Sequence, residues 1–107
     1  MEKAELSLLL DYYGAFLTER QRELMRMSAD EDMSLTEIGE AVGVSRQGAR
    51  GALVAAAAKL NECEEKLGLI KRDRELNALL DDLDKALTSG DTALARSVLG
   101  VIREKLL

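Results

Sequence analysis

Residues 33–60, "MSLTEIGEAVGVSRQGARGALVAAAAKL", decide the fold. Ser34 opens the capping-box pattern S-x-x-E that starts a helix over about 35–42. Gly43 stands where this helix must end in a sharp turn, and Ser45 is placed to cap the helix that follows. Two helices joined by a short turn that contains glycine are typical of a helix-turn-helix unit.

The apolar and small positions of the segment agree with this prediction. Gly39 lies where the two helices are expected to cross, and apolar residues are expected to pack on either side of the turn: Ile38, Val42, Val44, Ala49 and Leu53. The second helix then continues with apolar residues at alternating spacings of four and three, as Ala49, Leu53, Ala56, Leu60, Cys63 and Leu67. This seam predicts a long helix that Gly68 ends.

The residues before the motif predict two more helices. The first spans about residues 4–17, with an apolar stripe of Leu6, Leu9, Leu10, Tyr13, Phe16 and Leu17 that Leu8 and Tyr12 widen. Thr18 opens a second capping box, "TERQ", which predicts a helix over about 19–28. We therefore expect a helix-turn-helix domain over residues 1–67.

Residues 68–107 predict an αα-hairpin, packed on the same unit or on a dimer mate. "TSGD" is the expected turn, Asp91 the expected N-cap, and "KRDRE" at residues 71–75 a plausible hinge. The expected apolar rows are Leu76, Leu79, Leu80, Leu83 and Leu87 on one helix, and Leu94, Val98, Leu99, Ile102 and Leu106 on the other.

Composition agrees with an all-α fold and excludes several kinds of site. The chain of 107 residues is 47% hydrophobic and 33% charged, with no proline. Cys63 is the only cysteine and there is no histidine, which excludes an intramolecular disulfide, a Cys/His zinc site and a histidine-based triad. No nucleophile–base pair, phosphate-binding glycine loop or metal spacing is present. We expect a non-enzymatic protein with no cofactor and no metal.

The apolar run near the N-terminus is too short for a signal peptide or a membrane span, since Asp11 interrupts it. A soluble, cytoplasmic protein without membrane contact is the expectation.

In a conventional helix-turn-helix, the start of the second helix faces the base edges of DNA. This geometry would bring Arg46, Gln47 and Arg50 to the major groove, and would let Ser45 and Thr36 reach phosphates. The same side chains are also ordinary on a solvated helix face. The net charge of −5, and the six basic against seven acidic residues of segment 18–60, oppose charge-driven DNA binding.

The case for DNA reading is weakened by small residues among and after these positions: Gly48, Gly51 and the run Ala55–Ala58. Each glycine costs about 1 kcal/mol relative to alanine inside a helix. The favoured interpretation is a helix buried against other helices on several sides, and the alternative is a smooth surface that admits a partner helix closely.

Three separated stretches, "DYYGAFLTERQRELM", "SLTEIGEAVGVSRQGAR" and "NECEEKLGL", together resemble the YlxM family. These are small bacterial proteins with a helix-turn-helix like region 4 of RNA polymerase sigma factors. The resemblance covers roughly the first two-thirds of the chain. It implies sigma-like recognition positions at Ser45, Arg46, Gln47 and Arg50, and the chain departs from the family pattern just after them.

The resemblance further implies a cytoplasmic, non-enzymatic protein that acts in the signal recognition particle pathway, because the gene typically neighbours that of the particle's GTPase. Such proteins are also described as DNA-binding regulators. Both functions stay open: an accessory factor whose acidic clusters at residues 30–32 and 81–84 meet a basic partner, or a dimer that reads duplex DNA. A homodimer is expected, since the stripes on the first helix and the hairpin exceed what one small core covers.

Overall fold

The computed structural model describes residues 2–107, which form α-helices and no strands. The helices are α1 (Lys3–Tyr13), α2 (Glu19–Ala29), α3 (Leu35–Val42), α4 (Arg46–Leu67), α5 (Leu69–Ser89) and α6 (Thr92–Leu106). One turn of 3₁₀ helix, Gly14–Phe16, follows α1. The chain divides into two compact units, the first ending at Gly68 and the second spanning Leu69–Leu107. The all-α prediction is confirmed.

Side chains that the sequence predicts as N-caps begin α2, α3 and α4, and in the first two cases they belong to capping boxes. Thr18 accepts a hydrogen bond from the amide of Gln21 at 3.1 Å, and the Gln21 side chain accepts one from the Thr18 amide at 3.0 Å. Ser34 and Glu37 form the same reciprocal pair, at 3.1 and 3.0 Å. Both predicted capping boxes are confirmed, and together they satisfy four amide donors that helix starts leave without partners.

The turn between α3 and α4 requires its two glycines for different reasons. Gly43 has a left-handed backbone, with φ of 77°, and ends α3 as predicted. Gly39 lies where the chain returns across α3, since a Cβ at this position would lie 2.7 Å from the carbonyl oxygen of Val44. The predicted close crossing at Gly39 is therefore confirmed, and the helix-turn-helix geometry follows from both residues.

The core of the first unit joins all four of its helices. Leu24, Ile38 and Ala49 form a buried cluster between α2, α3 and α4. Leu9, Leu10 and Leu17 are also buried, as are the α4 seam residues Ala56, Leu60 and Cys63. Tyr13 of α1 is fully buried, and its hydroxyl donates a hydrogen bond to the carboxylate of Glu64 on α4.

Three expectations for the first unit and one for the second are wrong in detail. The first helix ends at Tyr13, and the 3₁₀ turn that follows changes the residue spacing, which leaves Phe16 57% exposed. Val44 is 42% exposed because it lies in the turn, outside the regular helical spacing. Leu67 is 52% exposed, since it is the last residue of α4. The expected hinge at residues 71–75 lies inside continuous α5.

The second unit is the predicted αα-hairpin. Gly90, with φ of 76°, makes the turn, and Asp91 caps α6 by accepting from the amide of Leu94 at 3.0 Å. Lys105 donates to Glu75 at 2.9 Å and so links α6 to α5. The buried side chains of the unit are Ile70, Ala86, Ala95 and Ile102.

The expected apolar rows form the interior of the hairpin only in part, since Ile102 is buried and Leu76, Leu79, Leu83 and Val98 are half-buried. Small Ala86 and Ala95 are buried, whereas Leu80 and Leu87 are 49% and 62% exposed. Two helices alone bury one narrow strip on each, and the wider rows therefore extend onto the surface. Whether this hairpin packs on its own chain or on a dimer mate stays a prediction.

Candidate nucleic-acid and protein interface

The N-terminus of α4 holds most of the candidate DNA-reading residues. Ser45 is its N-cap, and the hydroxyl oxygen accepts from the amide of Gly48 at 3.0 Å. A Cβ on Gly48 would lie 3.2 Å from that same oxygen, so the glycine gives the cap room. The capping role of Ser45 is confirmed. A contact to phosphate is an additional role that the hydroxyl hydrogen could serve.

Arg46, Gln47 and Arg50 follow within one turn of the helix, and all three are exposed. Among the described residues, neither arginine forms an ion pair or a side-chain hydrogen bond. The partial positive charge of the helix N-terminus adds to their charge. The structure thus brings Ser45, Arg46, Gln47 and Arg50 together on the surface at one helix end.

Thr36 lies in the first turn of α3, where it is exposed. Its neighbour Glu37 accepts hydrogen bonds within the capping box, and the bond from the Ser34 backbone, followed by that from the Ser34 side chain, lowers the pKa of this carboxyl. A permanent negative charge therefore stands beside Thr36 at neutral pH, and it opposes an approaching phosphate.

Two arginines of α2 have structural roles that the sequence analysis did not assign. A guanidinium nitrogen of Arg20 donates to the carbonyl oxygen of Val42 at 2.9 Å, at the C-terminal end of α3. Arg22 donates to the carbonyl oxygens of Gly14 and Leu17, at 3.2 and 3.4 Å. The sequence gives no signal for these arginine–carbonyl contacts. The carbonyl oxygens belong either to residues far away in the chain or to irregular backbone.

The acidic cluster at residues 30–32 is also partly engaged within the chain. Asp30 accepts from the hydroxyl of Ser7 at 2.6 Å, and Asp32 forms an ion pair with Lys3. Both contacts attach α1 to the connection after α2. Asp81, Asp82 and Asp84 on α5 are exposed, and none forms an ion pair among the described residues.

One side of α4 is an exposed surface without charge, which we call the α4 face: Gly48, Gly51, Val54, Ala55 and Ala58. Val54 is 55% exposed, and a Cβ on Gly51 would meet nothing within 4 Å. The favoured interpretation, in which helices surround this stretch, is wrong for this face. The core of the first unit covers only the opposite side of α4, where Ala49, Ala56 and Leu60 are fully buried.

The described residues contain no group of three or more His, Cys, Asp or Glu placed to hold a metal ion. Across residues 2–107, no helix combines the length and the apolar character that crossing a bilayer would require.

Comparison with known proteins agrees with the geometry of the motif. Residues 1–97 match the family UPF0122, described as "Putative helix-turn-helix protein, YlxM / p13 like". The chain belongs to this family. The resemblance to YlxM is therefore confirmed, and the match reaches past the first two-thirds of the chain into α6.

Three UPF0122 relatives show how far the similarity extends. A protein of Symbiobacterium thermophilum is 43% identical over 98 residues, covering 92% of this chain and 92% of its own length. One from Thermoanaerobacter sp. is 45% identical over 82 residues, covering 77% of this chain and 70% of its own. One from Clostridium perfringens is 34% identical over 102 residues, covering 95% of this chain and 90% of its own length. UPF0122 similarity thus includes the hairpin as well as the helix-turn-helix.

Proposed function

We propose that the chain is a non-enzymatic accessory protein of the signal recognition particle pathway, and that its helix-turn-helix unit contacts the particle's GTPase or the ribonucleoprotein that contains it. One observation carries this proposal: the α4 face is exposed, apolar and free of charge. The identity of the partner comes from the YlxM resemblance.

The chemistry of the α4 face suits a protein surface. The centres of protein interfaces are depleted of charged residues, whereas DNA-binding surfaces are strongly basic. No charged residue occurs between Arg50 and Lys59. The missing side chain at Gly51 leaves space for an atom of a partner to approach the α4 backbone.

The charge of the chain favours a basic protein partner over a nucleic acid. The formal net charge is −5, and complementary charge raises the rate of encounter with a basic surface. Of the basic residues of α2, Arg20 and Arg22 are engaged by backbone carbonyls. These donors are therefore used within the unit, whereas Arg26 of the same helix is exposed.

A second candidate is direct DNA reading by a dimer. It is favoured by Arg46 and Arg50, which are exposed and form no ion pair among the described residues, with Gln47 beside them. Ser45 and Thr36 would contact phosphates in this arrangement. The charge of Glu37 opposes it. Both candidates include a homodimer in the cytoplasm.

The test is a titration of the labelled full-length chain against four targets: the GTPase, its RNA, their complex, and a pool of duplex DNA. Each titration is repeated over a salt series with the wild type, Arg46→Ala, and Arg26→Ala as a charge-matched control on α2. Binding to the GTPase or the complex that survives high salt and both substitutions supports the proposal.

Other outcomes overturn it. Binding to DNA alone, with a loss of about 0.9 log units per phosphate contact as salt increases tenfold and with a loss specific to Arg46→Ala, selects the DNA reader. Binding to the RNA as strong as binding to the complex would replace the protein contact with an RNA contact.

A further inference from the structure

The hairpin has an apolar groove on one side that its own two helices leave open. This groove of about 330 Å³ is lined by Leu83 and Leu87 of α5 and by Thr92, Ala95, Arg96 and Leu99 of α6. Leu80 is about one helical turn before Leu83 and about two turns before Leu87, and it continues the same side of α5. We call Leu80, Leu83, Leu87 and Leu99 the leucine face.

The interior of the hairpin is small for the apolar surface that the unit carries. Its buried side chains are Ile70, Ala86, Ala95 and Ile102, of which two are alanines. Chains below about 40 residues usually need a disulfide, a metal or association to form a stable core, and residues 69–107 fall under that length. The unit contains no cysteine, and the described residues offer no metal site. Association, either with the first unit of its own chain or with a second copy, is the device that remains.

The charges at the two edges of the leucine face indicate what covers it. Asp84 lies at the α5 edge, one position after Leu83, and Arg96 lies at the α6 edge. Both are exposed, and neither has an ion-pair partner among the described residues. A two-fold axis that places α5 of one copy on α6 of another would bring each acidic edge to a basic edge. The face is thus complementary to itself, which a symmetric dimer requires.

We propose that the leucine face is covered by the same face of a second copy of this chain, so that two hairpins form a four-helix bundle. Short connections and apolar faces on neighbouring antiparallel helices are the features of such bundles. The inference rests on the homodimer proposed above and is independent of whether the partner is a protein or DNA. The proposed interface uses no residue of the α4 face.

Sedimentation equilibrium of the full-length chain at micromolar concentration tests the interface. The wild type should have twice the chain mass of 11.7 kDa. Leu87→Glu should raise the dimer dissociation constant by more than about tenfold, since two carboxylates would enter the apolar interface. Leu87 is 62% exposed in the single chain, so the substitution should leave most of the helix content seen by circular dichroism.

Two substitutions of the same kind serve as controls. Leu94 is two positions before Arg96 and so lies on the opposite side of α6, and Val54 belongs to the α4 face. Leu94→Glu and Val54→Glu should both leave the dimer intact. A monomeric wild type would overturn the dimer itself. Dissociation by Val54→Glu but not by Leu87→Glu would keep the dimer and overturn its placement.

Exchange of the edge charges provides a second test that does not depend on the leucines. Asp84→Arg and Arg96→Asp should each weaken the dimer, because each places like charges opposite one another. The two substitutions in one chain should restore it. If the loss of dimer affinity in the double variant equals the sum of the two single losses, the two-fold pairing of these edges is contradicted.

Discussion

The backbone amide of Val44 donates a hydrogen bond to the carbonyl oxygen of Gly39 at 2.9 Å, and a Cβ on Gly39 would lie 2.7 Å from the carbonyl oxygen of Val44. The turn of the helix-turn-helix thus passes directly over one residue of α3. This contact sets the angle at which α4 leaves the turn. Every surface of α4 that we assign to a partner depends on that angle.

Gly39→Ala should destabilise the protein by about 1–3 kcal/mol, the usual cost of forcing a methyl group into a packed region. The atom it meets belongs to the backbone and cannot rotate away. Gly51→Ala is the matched control, since a Cβ there meets nothing within 4 Å, and it should stabilise by up to about 1 kcal/mol. Urea unfolding measures both. Equal changes in the free energy of unfolding for the two substitutions would show that the turn does not lie close enough to α3 to exclude a methyl group at residue 39.

Tyr13→Phe should cost about 1–3 kcal/mol, because it removes the buried hydroxyl that donates to the Glu64 carboxylate. The ring itself remains, so the packing of α1 is retained. Glu64→Gln keeps an oxygen acceptor and should cost less. Thermal unfolding followed by circular dichroism reports both changes. No loss of stability in Tyr13→Phe would exclude a stabilising role for this link between α1 and α4.

Stability should decrease on acidification partly through the α3 capping box. Hydrogen bonds from Ser34 hold the pKa of Glu37 below its ordinary value of 4.5 in the folded chain. The folded state therefore binds the proton less readily than the unfolded state, and the stability that Glu37 contributes is present above pH 4.5 and lost as the pH falls through the lowered value. Glu37→Gln should reduce the slope of stability against pH in this window. An unchanged slope would assign the acid sensitivity to other carboxyls.

Arg20→Ala should destabilise the first unit by about 1 kcal/mol, since it removes the donor to the Val42 carbonyl at the end of α3. Arg46→Ala removes the same charge from a side chain that forms no ion pair among the described residues, and it should change stability by less than about 0.5 kcal/mol. The free energy of unfolding of both variants is measured by chemical denaturation. The reverse ranking would mean that Arg46 has a structural partner.

Local signals account for the parts of the fold that the sequence predicted. Capping boxes at Thr18 and Ser34 and the stop at Gly43 act through contacts within three to five residues, so short motifs carry them. The contacts of Arg20 with Val42, and of Tyr13 with Glu64, join residues far apart in the chain. No periodicity encodes such pairs, and they appear only when the helices are packed.

The candidate site also has one part that the sequence predicts and one part that it does not. The placement of Ser45, Arg46, Gln47 and Arg50 on one helix start follows from sequence spacing alone. The exposure of the α4 face does not, because an alanine-rich stretch has the same pattern whether helices cover it or not. Only the position of α4 at the edge of its unit shows that Gly51, Val54 and Ala55 are exposed.

The most direct test of the central proposal is the affinity of the full-length chain for the signal recognition particle GTPase in complex with its RNA, measured for two variants of equal charge. Ala55→Glu places a carboxylate in the middle of the α4 face, and Ala78→Glu places one on an exposed position of α5. The proposal predicts that Ala55→Glu weakens binding by more than about tenfold, as a charge in an apolar interface centre does, while Ala78→Glu matches the wild type. Equal affinities for both variants and the wild type would contradict a protein contact at the α4 face.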